Sequence, residues 1–368
     1  MLIHSIQHGP SQAIYAAIKL IEEAKTEVLL STFVLEGQGH AGRCLVDAIM
    51  KSKAKSIKFL TNHYTLFSQR TLDYLALFAC VEKLEIRVWK HRSMNSNHAK
   101  FIVVDSLECS LGGYNFQEAF FMEEEYAWND LGITVACEYM AKKLETYFYK
   151  QWDQSEIVEC NSSLKNIYQC PANAKGRVLH IEKTVNDYDV LTQIQKYLFL
   201  HSYKSKAFKS IFNCLASAKI SIDILSPNVI DTCIWNLLIQ KIKLGVKIRI
   251  LTNEGHNAYS AFLLFEAENK FLCSKMQKNL EIRFSNRVNA KPIHLETDDK
   301  KWPVCIDHSK YFCVDLKHFY IGSFNMDTIS MHACGESGVI VYDESILVSK
   351  INSFLFDYLF AKAIPIKC

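Results

Sequence analysis

The chain repeats itself, and this internal repeat limits its fold more than any other feature of the sequence. The segment SIKFLTN (56–62) returns as KIRILTN (247–253), 191 residues later, and KLEIRVW (83–89) returns as NLEIRFS (279–285), 196 residues later. Each copy alternates strand-like apolar segments with helical ones, a pattern typical of α/β proteins. The sequence therefore predicts two similar α/β lobes, each a mixed β-sheet flanked by helices.

The repeat divides the 368 residues into three parts. The first lobe is predicted over residues 1–156 and the second over residues 176–368. The segment between them, 157–175, is polar and contains a Pro-Ala-Asn turn signal, so we interpret it as a linker. A longer spacing in the second copy also predicts an inserted loop over residues 286–304, either a rim of a substrate site or a solvated excursion.

Each copy contains one His-x-Lys-x4-Asp box. The members are His98, Lys100 and Asp105 in the first copy, and His308, Lys310 and Asp315 in the second. Side chains two positions apart at the start of a strand point to the same side, so the histidine and lysine of each box can share a pocket. Two lobes packed about a pseudo-twofold axis would combine both pockets at their interface. We count the two aspartates among the catalytic candidates, although their place at strand ends favours a structural role in a turn.

Further polar residues recur after each box. Asn115 and Asn325 each lie 17 residues after the histidine of their copy, and Ser323 lies two residues before Asn325. Asp130 and Glu336 each follow the histidine of their own copy by about 30 residues and are candidates for the carboxylate that orients an imidazole. Both copies therefore predict the same kind of site.

This set of side chains suits a phosphodiester substrate. Two lysines and two amides can hold the non-bridging oxygens and neutralise charge that develops in the transition state. One neutral imidazole can attack phosphorus, and the other, protonated, can donate to the leaving alcohol. We predict neither a metal ion nor another cofactor, because lysine supplies the positive charge.

The duplicated box resembles the motif that defines the phospholipase D superfamily, and the resemblance covers nearly the whole chain in family order. It implies a two-lobed α/β fold with the active site at the lobe interface, and a phospho-histidine intermediate. It also implies that His98 is the nucleophile, that His308 is the acid and base, and that Asp130 and Glu336 support the histidines. Gly113 stands where the family commonly has Ser or Thr, which implies a missing hydroxyl contact. Size and spacing resemble the bacterial cardiolipin synthase and phosphatidyltransferase branch most.

Three classes of function are compatible with these observations. The resemblance favours a phospholipid hydrolase or phosphatidyltransferase, and a metal-independent nuclease is the alternative. The net charge of +3 gives no support for a broad nucleic-acid face. The basic runs KSKAKSIK (51–58) and HSYKSKAFK (201–209) are short, as on a solvated helix face. A scaffold protein without catalytic activity is disfavoured, since both boxes are complete.

The composition is that of a globular protein with a core, 49% apolar and 22% charged. The N-terminal residues lack a signal-peptide pattern, and no apolar run is long enough to span a membrane. The 13 cysteines include no C-x-x-C pair, which predicts reduced thiols. We therefore expect a cytoplasmic monomer that meets its phospholipid substrate at a membrane surface, with peripheral attachment left open.

Overall fold

The computed structural model describes residues 1–9, 11–35, 39–62, 81–89, 97–117, 128–158, 176–194, 205–253, 278–285, 307–332 and 334–365. Up to residue 184 the elements are β1 (Leu2–His8), α1 (Gln12–Glu23), β2 (Glu27–Ser31), α2 (Gly39–Lys51), β3 (Ser56–Asn62), β4 (Leu84–Trp89), β5 (Phe101–Val104), β6 (Glu108–Gly112), β7 (Leu131–Ala136), α3 (Glu138–Trp152), β8 (Glu156–Ile157) and β9 (Arg177–Thr184). From residue 187 they are β10 (Asp187–Gln193), α4 (Lys206–Ala216), β11 (Ser221–Leu225), α5 (Thr232–Lys243), β12 (Lys247–Thr252), β13 (Leu280–Phe284), β14 (Tyr311–Val314), β15 (His318–Gly322), α6 (Thr328–His332), β16 (Glu336–Tyr342), α7 (Ile346–Asn352), a π-helical turn (Ser353–Asp357), α8 (Tyr358–Lys362) and β17 (Ile364–Pro365).

These strands form two mixed sheets that repeat one plan. The first has nine strands in the order β8-β4-β3-β2-β5-β6-β7-β1-β9, and the second has eight in the order β10-β16-β15-β14-β11-β12-β13-β17. In each sheet three strands run parallel side by side, and the strand of the His box runs antiparallel next to them. The prediction of two similar lobes with mixed sheets is confirmed.

One strand departs from the predicted division of the chain. β9 pairs antiparallel with β1 at the edge of the first sheet, although the repeat assigns residues 176–184 to the second lobe. The second sheet begins only with β10, which pairs with β16. We therefore propose that the chain passes from one lobe to the other between Thr184 and Asp187. Residues 159–175 of the predicted linker and the predicted loop 286–304 lie outside the described residues.

Apolar side chains are buried in three layers. α1 and α2 cover the outer face of the first sheet, and α4 and α5 cover that of the second. The middle layer lies between the sheets and contains Phe101 of β5 and Cys313 of β14, together with Phe148 of α3 and Phe356 of the π-helical turn. The helices that close each repeat thus pack into the core, as the spacing of their apolar residues predicts. No helix within the described ranges is long and apolar enough to cross a bilayer.

The cysteines differ in part from the prediction. Cys109, Cys214 and Cys313 are buried thiols, and burial raises the pKa of Cys214 and Cys313 to about 12. Neither of these two is therefore a nucleophile near neutral pH. Cys44, in contrast, is disulfide-bonded, so the prediction of reduced thiols is wrong at this position.

Candidate active site

The two His boxes meet where the lobes face each other. The backbone amide of His98 donates to the carbonyl of Gly335 at 2.7 Å, and that of His308 donates to the carbonyl of Asn129 at 2.8 Å. Both bonds accompany short parallel bridges that join one lobe to the other. The start of each box is therefore held by the lobe opposite to it.

Each histidine also contacts a carboxylate of the opposite lobe. His98 Nδ1 lies 2.9 Å from Glu336 Oε1, and His308 Nδ1 lies 2.7 Å from Asp130 Oδ2. Each acid therefore contacts the histidine of the other copy and not the histidine that it follows in the sequence. The reason is the inter-lobe bridge, which brings the residue before each acid to the other box. With Nδ1 occupied, Nε2 of each ring is the nitrogen that can act on a substrate.

Lys100 and Lys310 are buried next to these histidines. Each is 1% exposed, and each ammonium group donates to the backbone carbonyl of the histidine in its own box. Burial, opposed by the attraction of Glu336 and reinforced by repulsion from Lys310, lowers the pKa of Lys100 to about 7. Burial likewise lowers the pKa of Lys310 to about 8. Both ammonium groups are thus close to losing their protons near neutral pH, and a bound anion would stabilise them.

Burial also shifts the pKa values of the two histidines and of the acids that they contact. Burial, followed by the nearby lysines, lowers the pKa of His98 and of His308 well below the usual range. Burial raises the pKa of Asp130 to about 6 and that of Glu336 to about 8. The charge of His98 also lowers the pKa of His308, as expected of two imidazoles that share one pocket.

The two asparagines differ in their contacts. Asn115 Oδ1 accepts a hydrogen bond from the backbone amide of Val34 at 3.2 Å, so it holds the loop after β2. Asn325 Oδ1 is buried and has no hydrogen-bond partner within the part of the chain that the structure describes. A buried oxygen without a partner is costly, which makes Asn325 the better candidate for contact with a substrate hydroxyl.

Ser323 and its counterpart Gly113 explain a difference between the two copies. The hydroxyl of Ser323 donates to Glu336. At Gly113, a Cβ atom would lie 2.4 Å from Asp130 Oδ1. The carboxylate of Asp130 therefore occupies the space that a side chain at position 113 would need. Asp130 instead accepts a hydrogen bond from the amide of Leu131 at 2.7 Å. The hydroxyl contact is absent at Gly113, as predicted, and a backbone donor takes its place.

Asp105 and Asp315 do not line the pocket. They lie in the turns at the far ends of β5 and β14 from the histidines. Asp105 accepts hydrogen bonds from the backbone amides of residues 25–27, at 2.8–3.0 Å, and Asp315 does so from residues 219–221, at 2.8 Å. We therefore propose that they are structural and not catalytic, the alternative that their place at the strand ends favours.

Two asparagines that position the boxes were not predicted. Asn253 Nδ2 donates to the carbonyl of Asp307 at 2.9 Å, and its Oδ1 accepts from the amide of Asp307 at 3.1 Å. Asn62 makes the same pair of bonds with Asn97 in the first lobe. Both residues fix the backbone directly before a histidine. The signal was present in the sequence, since Asn62 and Asn253 end the repeated Leu-Thr-Asn segments.

Aromatic rings cover part of each imidazole. The ring of Phe33 lies edge-on to His98 with the centroids 5.0 Å apart, and Trp128 lies 5.4 Å from His308. The ammonium group of Lys100 is 5.3 Å from the centroid of Phe33. These rings help to exclude water from the dyads, which strengthens the electrostatic interactions inside the pocket.

The chain is similar to known proteins in sequence. The family model described as "Cardiolipin synthase, PLD-like domain" matches residues 17–152 and 211–356. Similar curated proteins include the cardiolipin synthase of Halalkalibacterium halodurans, 25% identical over 268 residues, or 71% of this chain and 46% of that protein. The cardiolipin synthase of Alkalihalophilus pseudofirmus is 24% identical over 266 residues, with the same 71% and 46% coverage. The chain spans about half the length of these relatives.

A solved structure extends the comparison to the fold. The phosphatidylserine synthase of Haemophilus influenzae superposes with a TM-score of 0.71 over 100% of this chain and 90% of its own, at 13% identity. This likeness supports the two-lobed fold. Each of the two segments that the family model matches contains one His box. The chain therefore belongs to the family of PLD-like domains of the cardiolipin synthase type.

Proposed function

We propose that this protein is a phosphatidyltransferase of the phospholipase D type that acts on phospholipids through a phospho-histidine intermediate. The observation that carries the proposal is the pair of crossed histidine–carboxylate dyads, which lie beside two buried lysines. The names of the similar cardiolipin synthases support transfer to an alcohol over hydrolysis. Because one chain supplies both dyads, we also propose that the active unit is a monomer.

The first step uses the two histidines in different roles. Glu336 binds Nδ1 of His98, and Nε2 is therefore available to attack phosphorus. An N–P bond forms, the P–O bond to the leaving alcohol breaks, and protonated His308 donates its proton to the departing oxygen. Burial and the lysines lower the pKa of His308 in the free protein, so this step needs the negative charge of the bound phosphodiester, together with Asp130, to stabilise the protonated imidazole.

The second step reverses these roles. The acceptor alcohol transfers its proton to His308 and attacks phosphorus, and the N–P bond to His98 breaks. Water in place of the alcohol would give hydrolysis. In both steps Lys100 and Lys310 bind the non-bridging oxygens and stabilise their charge. No step uses a metal ion, and the described residues contain no cluster of metal-ligating side chains.

The test is product analysis by mass spectrometry after incubation with mixed phospholipids, with and without glycerol. We expect a phosphatidyl product that depends on the alcohol, survives EDTA, and disappears in His98→Ala and in His308→Ala. The exposed His180 provides a matched control, since His180→Ala removes an imidazole outside the site. Turnover in either catalytic variant, or a loss with EDTA that Mg²⁺ restores, would contradict the proposal. Nicking of plasmid DNA without lipid turnover would support the nuclease alternative.

We further propose that the protein works in the cytoplasm as a peripheral membrane protein. The substrate class supports a membrane surface as the place of action, because phospholipids are held in bilayers. Fractionation of cells that express the full chain tests this proposal. Recovery in the membrane fraction with release by high salt is the expected result, since salt screens the attraction between a protein and anionic lipid.

A further inference from the structure

Two asparagines of the second lobe lie side by side, and the buried amide oxygen of each has no hydrogen-bond partner among the described residues. They are Asn228, in the loop after β11, and Asn325, in the loop after β15. A short parallel bridge joins Val229 to Met326, so the two asparagines directly before them are neighbours. The amide of Ile230 also donates to the carbonyl of Met326 at 2.8 Å, which holds the two loops together. We call Asn228 and Asn325 the amide pair.

The first lobe uses the same two positions differently. There the matching bridge joins the residues after Val34 and Asn115, which are therefore the counterparts of Asn228 and Asn325. Val34 is apolar and 7% exposed, and its backbone amide donates to Asn115 Oδ1 at 3.2 Å. The first lobe thus satisfies its amide oxygen internally, whereas the second lobe has two amide oxygens that no described residue satisfies. The fold therefore does not require an asparagine at position 228.

Hydrogen bonds connect the loop of Asn228 to the backbone that carries His308. The carbonyl of Pro227 accepts from Thr252 Oγ1 at 3.1 Å. The next residue, Asn253, bonds both backbone groups of the residue directly before His308. The loop that carries Asn228 is thus on the same side of the pocket as His308.

The first lobe supports this placement. The ring centroid of Phe33 is 5.0 Å from that of His98, and the counterpart of Phe33 in the second lobe is Pro227. The repeated fold therefore places Pro227 next to His308. Two residues before Asn325, a serine hydroxyl donates to the acid that contacts His98. The amide pair consequently borders the pocket from the side of the second lobe.

A hydroxyl group is the ligand that suits the amide pair. The non-bridging oxygens of a phosphodiester only accept hydrogen bonds and cannot satisfy an amide oxygen, whereas a hydroxyl group both donates and accepts. Rotation of an amide about its last torsion exchanges its oxygen and nitrogen, so a ligand can bond either end. In the proposed second step the reacting hydroxyl gives its proton to His308. A further hydroxyl group of the same alcohol is therefore the donor that remains for the amide pair.

We propose that the amide pair binds a second hydroxyl group of the acceptor alcohol and thereby selects polyols over alcohols with a single hydroxyl. This inference rests on the proposed transferase function and assigns to Asn228 the role of a specificity-determining residue. The pair holds the polyol while its reacting hydroxyl meets His308. A hydroxyl group is neutral, so it satisfies the amides without adding to the positive charge of Lys100 and Lys310.

Competition between two alcohols tests the proposal on the full chain. Glycerol and 1-propanol have the same three-carbon chain and compete for one phospho-enzyme, so the ratio of the two phosphatidyl products does not depend on lipid binding or on the amount of folded enzyme. We expect the wild type to favour glycerol. Asn228→Val, which copies Val34 of the first lobe, should lower the ratio roughly tenfold, because a hydrogen bond to the second hydroxyl is lost. The matched control is Asn213→Val, the same change at an exposed position of α4, and it should keep the wild-type ratio.

Two results would overturn the inference and leave the transferase proposal intact. One is an unchanged product ratio in Asn228→Val, or in Asn228→Ala if the valine variant does not fold. The other is a wild type that forms both products in proportion to the two alcohol concentrations. If the wild type instead consumes no lipid, or releases only the hydrolysis product, the transferase proposal fails and this inference fails with it.

Discussion

A carboxylate affects most strongly the imidazole that it contacts, so the crossed dyads make a specific prediction. Asp130→Asn should lower the pKa of His308 and leave that of His98 nearly unchanged, whereas Glu336→Gln should do the reverse. The physical reason is that a carboxyl group in hydrogen-bond contact with an imidazole titrates together with it, so its loss shifts the pKa of that ring more than the loss of a more distant group does. NMR titration of selectively labelled imidazoles measures both values. A larger effect of Asp130→Asn on the pKa of His98 than on that of His308 would contradict the crossed pairing.

Gly113 and Ser323 allow a second prediction, because they are counterparts in different environments. Gly113→Ala should lower kcat by roughly a hundredfold, since its Cβ would displace the Asp130 carboxylate from His308. Ser323→Ala is the matched variant in the other copy. It removes one hydrogen bond to Glu336 without a steric clash, so we expect a smaller loss. Steady-state kinetics on folded protein measure both, and a harmless Gly113→Ala would show that the carboxylate can move without penalty.

The buried lysines predict how anion binding depends on pH. Lys100, with a pKa of about 7, and Lys310, with a pKa of about 8, carry their charges below these values and lose them as the pH rises. Sulfate remains a dianion throughout, so its affinity should be highest below about pH 7 and should fall above about pH 8. Isothermal titration calorimetry measures this. In Lys100→Arg the charge persists, and the decrease should be shallower. An affinity independent of pH would contradict the assignment of both lysines to the anion site.

At the scale of single residues, the two His-x-Lys-x4-Asp boxes identify the histidines and lysines of the site, but they do not identify the hydrogen-bond partner of each histidine. His98, Lys100, His308 and Lys310 are found from the sequence because strand periodicity determines which side chains share a face. The contact of Asp130 with His308 of the other lobe could not be predicted, because it depends on how the two sheets pack against each other. The replacement of a hydroxyl by a backbone amide at Gly113 is likewise a matter of packing, which spacing alone does not encode.

At the scale of elements, each aspartate of a box links its turn to the loop that precedes a parallel strand. Hydrogen bonds from Thr26 and from neighbouring backbone amides lower the pKa of Asp105, although burial opposes them. A lowered pKa means that this stabilisation is complete above the ordinary aspartate value and is lost as the pH falls through the folded-state value. We expect Asp105→Ala and Asp315→Ala each to reduce the free energy of unfolding by about 2–4 kcal/mol.

The control for the two aspartate variants is their catalytic rate. Denaturant unfolding measures the stability, and kcat is determined per folded molecule. Because both aspartates lie at the strand ends remote from the histidines, kcat should be nearly unchanged. A large fall in kcat with normal stability would return the two residues to the catalytic set.

The sequence predicts elements best where their pairing partners are near in the chain or repeated. The three parallel strands of each lobe are recognisable because the same segments occur twice. β9 is different, since its membership of the first sheet rests on pairing with β1, about 175 residues earlier. Its residues alternate between partly buried and exposed, as on any edge strand, and this pattern does not tell which sheet it joins.

At the scale of the whole molecule, the two lobes share one core. The middle apolar layer draws residues from both sheets and from the closing helix of each repeat. We therefore expect the lobes to unfold together, with one calorimetric transition whose midpoint coincides with the loss of activity. Domains that share a large apolar interface unfold cooperatively, whereas independent domains unfold separately. Two resolved transitions would show that each lobe is stable without the other.

The exchange of acids between the lobes also constrains how the two copies could have diverged. In many duplicated proteins one copy keeps the activity while the other accumulates changes and becomes a scaffold. Here each copy provides the histidine of one dyad and the acid of the other, so damage to either copy impairs both dyads. Selection therefore acts on the two copies as a single inherited unit. Neither copy can become vestigial while the other remains an enzyme.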